Sequence, residues 1–219
     1  MSEGLVDRRE RLRRARLYLV VEAAAEPVLG PALRGGVDMV QLRDKDAPDE
    51  LILRAAAGFR ALCDEHGALF WLNDRPDLVE ACGADGVHVG QDDMPAAEVR
   101  ERVGDDVLVG LSTHSPEQLD AALASGVADQ LSVGPVWETP TKAGRPAAGL
   151  PYVRHAAELA GDRPWFAIGG IDLGNVRAVT QAGASRIVVV RAIRDADDPA
   201  TAASELRAAL EESPVGAES

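Results

Sequence analysis

Lys45 and Lys142 are the only lysines in a chain of 219 residues that carries 36 acidic side chains against 23 basic ones. At a net charge of −13, an anionic ligand can be held only where cationic donors are concentrated, because the field of the whole chain repels it. Lys45 ends the run Gln41-Leu42-Arg43-Asp44-Lys45. If that run leaves a strand, its alternation sends Gln41, Arg43 and Lys45 to one side and Leu42 to the other. One amide and two cations then face a single pocket. The plainer alternative is that Arg43 and Lys45 neutralise Asp44 and Asp46 at the surface, as most charge clusters do.

Carboxylates occur in two comparable places, Asn73-Asp74-Arg75-Pro76 and Gly90-Gln91-Asp92-Asp93, each directly after a short apolar run. Two such oxygen ligands, completed by a phosphate and water, suit Mg2+, which seldom takes an all-protein cage. Helix capping is the alternative, since Asp74 and Asp93 each precede a proline, Pro76 and Pro95, suited to a first helical turn. Capping by Asp92 or Asp93 would still leave the other for metal. Ser112-Thr113-His114 adds hydroxyls for phosphate oxygens. The segment 134–146, which holds Thr139, Thr141 and Lys142, is far longer than an ordinary connection and reads as a lid or binding loop. Gly169-Gly170 lets backbone N–H groups approach an anion at a helix start, with Val190-Arg191 beside it. A plain tight turn is the alternative there.

Elements that could bring these residues together are visible in the hydrophobic pattern. Apolar runs at 17–21, 39–42, 69–72, 86–89, 107–111, 130–133, 165–168 and 187–190 alternate with amphipathic stretches near 27–35, 48–66, 75–82, 95–103, 115–125, 149–161, 173–182 and 198–212, the pattern of βα units. Gly35-Gly36, Gly83, Gly126 and Gly183 stand where helices should close, and Ser115-Pro116 where one should start. The turns 36–38, 83–85, 126–129 and 183–185 read Gly-Val-Asp, Gly-Ala-Asp, Gly-Val-Ala-Asp and Gly-Ala-Ser, as though one βα module were reused. The uninterrupted apolar run Ile187, Val188, Val189, Val190 suits a parallel strand buried on both faces. An open doubly wound sheet is disfavoured, because Val21 is followed by Glu22-Ala23-Ala24-Ala25 and not by a glycine-rich phosphate turn. The expected fold is α/β, one (β/α)8 TIM barrel spanning 1–219, with a leading helix over 1–15 that covers the barrel bottom and a frayed tail over 212–219. Such a barrel typically needs about 250 residues and can manage with fewer.

In such a barrel the strand ends and the loops after them build the catalytic face, and the loops after strands 7 and 8 often seat a phosphate. Two anion sites and a metal site on one face would be explained by two phosphorylated substrates. The charge disfavours nucleic acid, and no apolar run approaches the roughly 20 residues of a membrane helix. The arginine-rich stretch before the first strand lacks the layout of a secretory signal, so the cytoplasm is the expected location. Cys63 and Cys82, without metal or redox spacing, read as reduced, packed thiols. His88, between Val87 and Val89, reads as a packed core histidine, His114 as a donor behind the site, and His66 and His155 as helix-surface residues. Homo-oligomerisation is left open.

The motifs QLRDK, ND, GVHVGQDD, STH, GPVWETPTK and AIGGI, in this order over 41–171, resemble those of the thiamine-phosphate synthase family. The resemblance implies a transferase of thiamine biosynthesis that joins an aminomethylpyrimidine methyl diphosphate to a thiazole ethyl phosphate and releases diphosphate by a dissociative, Mg2+-assisted route with no protein nucleophile. It implies that Gln41, Arg43, Lys45, Asn73, Ser112 and Lys142 contact the pyrimidine diphosphate and that Thr139, Thr141 and Gly170 take the thiazole phosphate. Asp74 and Asp93 would bind one Mg2+, while Gly169, Val190 and Arg191 are further phosphate candidates. The chain departs from the pattern at Arg191, where a small Ser is common, and at Gln130, where an aromatic often stands. Three other readings share the scaffold: a thiazole tautomerase, a sugar-phosphate isomerase or epimerase, and a non-catalytic phosphate-ligand sensor.

Overall fold

Eight parallel strands close on themselves in sequence order: β1 (Leu17–Val21), β2 (Met39–Leu42), β3 (Leu69–Asn73), β4 (Gly86–Val89), β5 (Leu108–Thr113), β6 (Gln130–Val133), β7 (Trp165–Ile168) and β8 (Ile187–Val189). The computed structural model describes residues 3–139 and 146–212; Thr141, Lys142 and nearly all of the expected tail lie outside the described residues. Around the barrel run α2 (Glu26–Arg34), α3 (Asp49–His66), α4 (Val79–Cys82), α5 (Ala96–Val103), α6 (Pro116–Ser125), α7 (Gly149–Leu159), α8 (Val176–Gln181) and α10 (Pro199–Glu211), while α1 (Glu3–Arg14) precedes it. No described helix is long and apolar enough to cross a membrane.

The departures from the expected boundaries have local causes. β5 runs on through Ser112 and Thr113 because both pair with β6, against Ser132 and Val133. β3 likewise takes in Asn73, which pairs with His88, and β8 stops before Val190. α4 starts only at Val79, because Arg75 spends its side chain on Asp77 and Asp49 in the turn before it. A four-residue helix after β8, α9 (Arg191–Arg194), was not expected; it is too short to show a period.

Alternation divides the strands between two cores. Inside the barrel lie Tyr18, Val20, Met39, Leu69, Trp71, Leu108, Phe166 and Val188, and Leu12 of α1, with Ala15 just after it, closes the bottom. Tyr18 packs edge-on against Phe166, ring centroids 5.7 Å apart. Leu19, Val40, Phe70, Val87, Val109, Leu131 and Val189 face outward into the larger core beneath the helices. Room for Trp71 inside comes from Gly86, where an added Cβ would lie 2.8 Å from the indole ring.

The repeated turns latch the floor. In three of them the aspartate accepts a backbone N–H from the strand beside it and an arginine: Asp38 takes Leu17 N and Arg207, Asp85 takes Phe70 N and Arg60, and Asp129 takes Val109 N and Arg100. The leading helix joins the same latches, with Arg8 on Asp85 and Arg9 on Asp129. The aspartates thus satisfy N–H groups at the strand starts, where the ladder has not begun.

Cys63 and Cys82 are both buried and unbridged. Burial pushes the Cys63 thiol up to about 12 and raises Cys82 as well. Since the thiolate is the reactive form, a thiol reagent at neutral pH is expected to label neither residue until denaturant is added; rapid labelling of the native protein would contradict this packing.

Candidate active site

The C-terminal ends of the strands surround a cavity of about 320 Å³, within the range of small-ligand pockets. Gln41, Arg43, Asn73, Ser112, Thr139, Gly169, Gly170, Val190 and Arg191 all line it. Alternation along β2 holds in part: Gln41 and Arg43 face the cavity and Leu42 joins the outer core, but Lys45, expected in the same pocket, does not line it. Gln41 donates to the Tyr18 hydroxyl at 2.6 Å, which fixes the amide against the barrel interior.

Lys45, Asp74 and Asp93 form a separate cluster from the same strand ends. The Lys45 Nζ lies 2.8 Å from Asp74 Oδ2 and 3.8 Å from Asp93 Oδ1. Surface neutralisation of Asp44 and Asp46 is therefore not what Lys45 does. Nor do Asp74 and Asp93 cap helices: the N-caps of α4 and α5 are Leu78 and Pro95, and Asp93 Oδ2 instead accepts Gly90 N at 2.8 Å. Burial raises the Asp74 carboxyl above the usual range; Lys45 opposes the rise and the Asp93 carboxylate adds to it. Asp74 also has a φ of 59°, a left-handed backbone that is uncommon without glycine and tends to mark functional sites.

Among the described residues no group of three or more His, Cys, Asp or Glu side chains could cage a metal. Two carboxylates drawn together around one ammonium are nevertheless a donor set that suits a hard divalent cation, provided phosphate and water supply the remaining oxygens.

His88 is buried, as its flanking valines implied, but it is not simply packed: it lines the cavity. Its Nε2 lies 2.9 Å from Ser112 Oγ and its Nδ1 3.0 Å from Gln130 Oε1, while Gln130 Nε2 donates to Ser132 Oγ at 3.0 Å. With the amide so oriented, Nδ1 carries the proton and Nε2 accepts from the Ser112 hydroxyl; this tautomer is inferred from the network. Gly110 makes the arrangement sterically feasible, because a Cβ there would fall 2.4 Å from His88 Nδ1 and 2.7 Å from Gln130 Oε1. Thr113 points the other way and accepts from Tyr152. His114 bonds the Gly134 carbonyl at 2.6 Å, holding the root of the long loop.

At the opposite rim, Trp137 N donates to Gly169 O and Val136 N to Ile168 O, so the long loop is tied to the end of β7. Gly169 and Gly170 have φ values of 108° and 66°. The glycine pair does not open a helix directly: a turn in which Asp172 N donates to Asn175 Oδ1 intervenes, and α8 starts at Val176. A Cβ on Gly169 would come within 2.5 Å of Pro135 Cα. Gly169→Ala is accordingly expected to cost about 1–3 kcal/mol through strain and overpacking, read as a lower urea midpoint; an unchanged midpoint would remove the close approach as its reason.

Tyr18, His88, Ser132, Pro135, Ile168 and Asp172 also line the cavity and were not assigned to the site from the sequence. Tyr18, His88 and Ser132 could have been found by extending the inward alternation one residue pair deeper than the strand ends.

A family model described as Thiamine monophosphate synthase matches residues 17–193. A thiamine-phosphate synthase of Thermus thermophilus is 56% identical over 202 residues, covering 89% of this chain and 97% of that protein. One from Acidothermus cellulolyticus is 53% identical over 201 residues, covering 90% and 95%. The solved structure of a thiamine phosphate pyrophosphorylase from Pyrococcus furiosus superposes with a TM-score of 0.85 at 33% identity, covering 94% of this chain and 99% of that one.

Proposed function

Because the chain belongs to the thiamine monophosphate synthase family, we propose that it joins an aminomethylpyrimidine methyl diphosphate to a thiazole ethyl phosphate, yielding thiamine phosphate and diphosphate. The bond between the pyrimidine methylene and the diphosphate oxygen breaks, its electron pair leaving with the diphosphate. The thiazole nitrogen then gives its lone pair to the methylene carbon. No protein nucleophile is required; amides, hydroxyls and arginines line the cavity beside His88 and Asp172.

Gln41, Asn73 and Ser112 orient the pyrimidine, and Arg43 and Lys45, with Lys142 from the long loop, take the diphosphate oxygens. Thr139, Thr141 and Gly170 receive the thiazole phosphate, with Gly169, Val190 and Arg191 beside it. Asp74 and Asp93 would hold one Mg2+, which when bound supplies positive charge to the leaving diphosphate. The His88 network keeps the Ser112 proton turned inward, so that Ser112, expected from the sequence to serve phosphate oxygens, instead offers an oxygen to a donor on the pyrimidine.

The observation that carries this reading is the Lys45–Asp74–Asp93 cluster, which follows strand ends whose Arg43 and Asn73 line the cavity. A tautomerase or a sensor of the thiazole phosphate has no use for it, and an isomerase needs an acid–base pair in its place. Mixing both phosphorylated precursors with the protein, with and without Mg2+, should give thiamine phosphate and diphosphate in equal amounts only with the metal. Thiazole isomerisation without diphosphate release would favour the tautomerase, and binding without turnover the sensor.

A further inference from the structure

The fourth of the repeated floor turns breaks the rule of the other three. Asp38, Asp85 and Asp129 each place a carboxylate against an arginine, but the corresponding position before β8 is Ser185. Ser185 opens onto a wide cleft of about 1140 Å³ between α1 and the turns leading into β6, β7 and β8. Six arginines and three aspartates line this cleft, a local excess of positive charge on a chain of net −13.

Among the described residues, no carboxylate lies within salt-bridge distance of Arg13, Arg16, Arg163 or Arg186. Three of them are held in place by neutral carbonyls: Arg186 by Ala15 O and Arg13 O, Arg16 by Ser185 O, and Arg163 by Ala128 O. Such bonds orient a guanidinium without neutralising it. Burial, and then the neighbouring Arg16 charge, push Arg186 below the ordinary arginine range. Asp129, the most enclosed carboxylate of the cleft, is already shared by Arg9 and Arg100. Arg43 and Arg191, which also have no ion-pair partner among the described residues, line the mouth at the other end of the barrel, where phosphates are expected.

We propose that the floor cleft around Ser185 is a further anion site, apart from those at the mouth, taking a phosphate or diphosphate group whose oxygens stand where the other three repeats carry an aspartate. Guanidinium groups in a concave setting match phosphate oxygens with paired N–H donors. The negative charge of the remaining surface excludes long polyanions such as nucleic acid and anionic membranes, which leaves a compact ligand.

Calorimetric titration of the metal-free full chain with inorganic diphosphate tests this. Binding at the floor should survive Arg43→Gln, which removes one cation of the mouth and leaves the floor intact, and should weaken by at least about tenfold in Ser185→Asp, which restores the carboxylate of the repeat. Ser185→Asp should also raise Tm in the absence of ligand and leave turnover unchanged. Should that variant fail to fold, Arg13→Gln, at an exposed position, is expected to weaken the same event about fivefold. A parallel titration with ADP separates the two sources of the group: tighter binding of ADP assigns a phosphate ester, equal or weaker binding a free anion. Loss of all binding in Arg43→Gln, undiminished binding in Ser185→Asp, or no binding by the parent protein would overturn the proposal.

Discussion

Replacing Lys45 with alanine is expected to lower kcat/KM for diphosphate release by about 100- to 1,000-fold, the loss typical of removing one preorganised charge-stabilising donor. The size follows from where the charge acts. Two unit charges about 4 Å apart interact by about 4 kcal/mol at an effective dielectric near 20, and the leaving diphosphate gathers negative charge only as its bond breaks. Lys45 should therefore stabilise the transition state more than the bound substrate, so most of the loss belongs in kcat rather than KM. Without Lys45, Asp74 and Asp93 also lose the ammonium that lies between them, which should leave the pair more dependent on added Mg2+. Steady-state rates across a Mg2+ series would show both effects. A fall of less than about threefold would fit a surface charge and not this role.

The second large effect is expected in stability. Asp85 has a side chain only 7% exposed and joins three elements through Phe70 N, Arg60 and Arg8. Asp85→Ala deletes the acceptor for all of them, leaving a buried N–H unpaired and two guanidiniums without their carboxylate. Removing one partner of such a network costs about 3–5 kcal/mol when the charges are fully buried. Arg60 and Arg8 are partly solvated, and Arg60 keeps Asp64, so roughly 2–4 kcal/mol is expected. Asp85→Asn keeps an oxygen for Phe70 N and should lose less. Urea unfolding would measure the two; an Asp85→Ala change below about 0.5 kcal/mol, the range of ordinary surface substitutions, would show that the latch carries no weight.

Much of the barrel was legible in the sequence because parallel strands covered on both faces leave unbroken apolar runs, such as Ile187 to Val190. Glycines at 36, 83, 126 and 183 closed helices where expected, each with positive φ. What escaped notice was polar and interior. The apolar run of the fifth strand stops at Leu111, yet the backbones of Ser112 and Thr113 continue the ladder while one side chain faces the cavity and the other the outer core. His88 between two valines resembled any packed histidine; what it touches is set by Ser112 and Gln130, 24 and 42 residues further on, distances over which no local pattern carries information. The mouth residues Gln41, Arg43 and Asn73 were readable because each lies at or just past a strand end, where a polar side chain has few other reasons to be.

The unequal floor latches also bear on how the barrel comes together. Asp38, Asp85 and Asp129 each fasten a strand to the turn that introduces the next one, 21, 15 and 20 residues along the chain, short loops whose closure is entropically modest. Three successive strand pairs can thus be pinned early and locally during folding. The last pair, β7 with β8, lacks the aspartate and shares a register of only two residue pairs, Ala167 with Ile187 and Ile168 with Val188. That makes β7–β8 the seam of the cylinder, the joint that closes last and breathes first. The glycine turn and Arg191 at its upper end would feel that breathing, so ligands gripping either end of the seam would act as rivets on the whole ring.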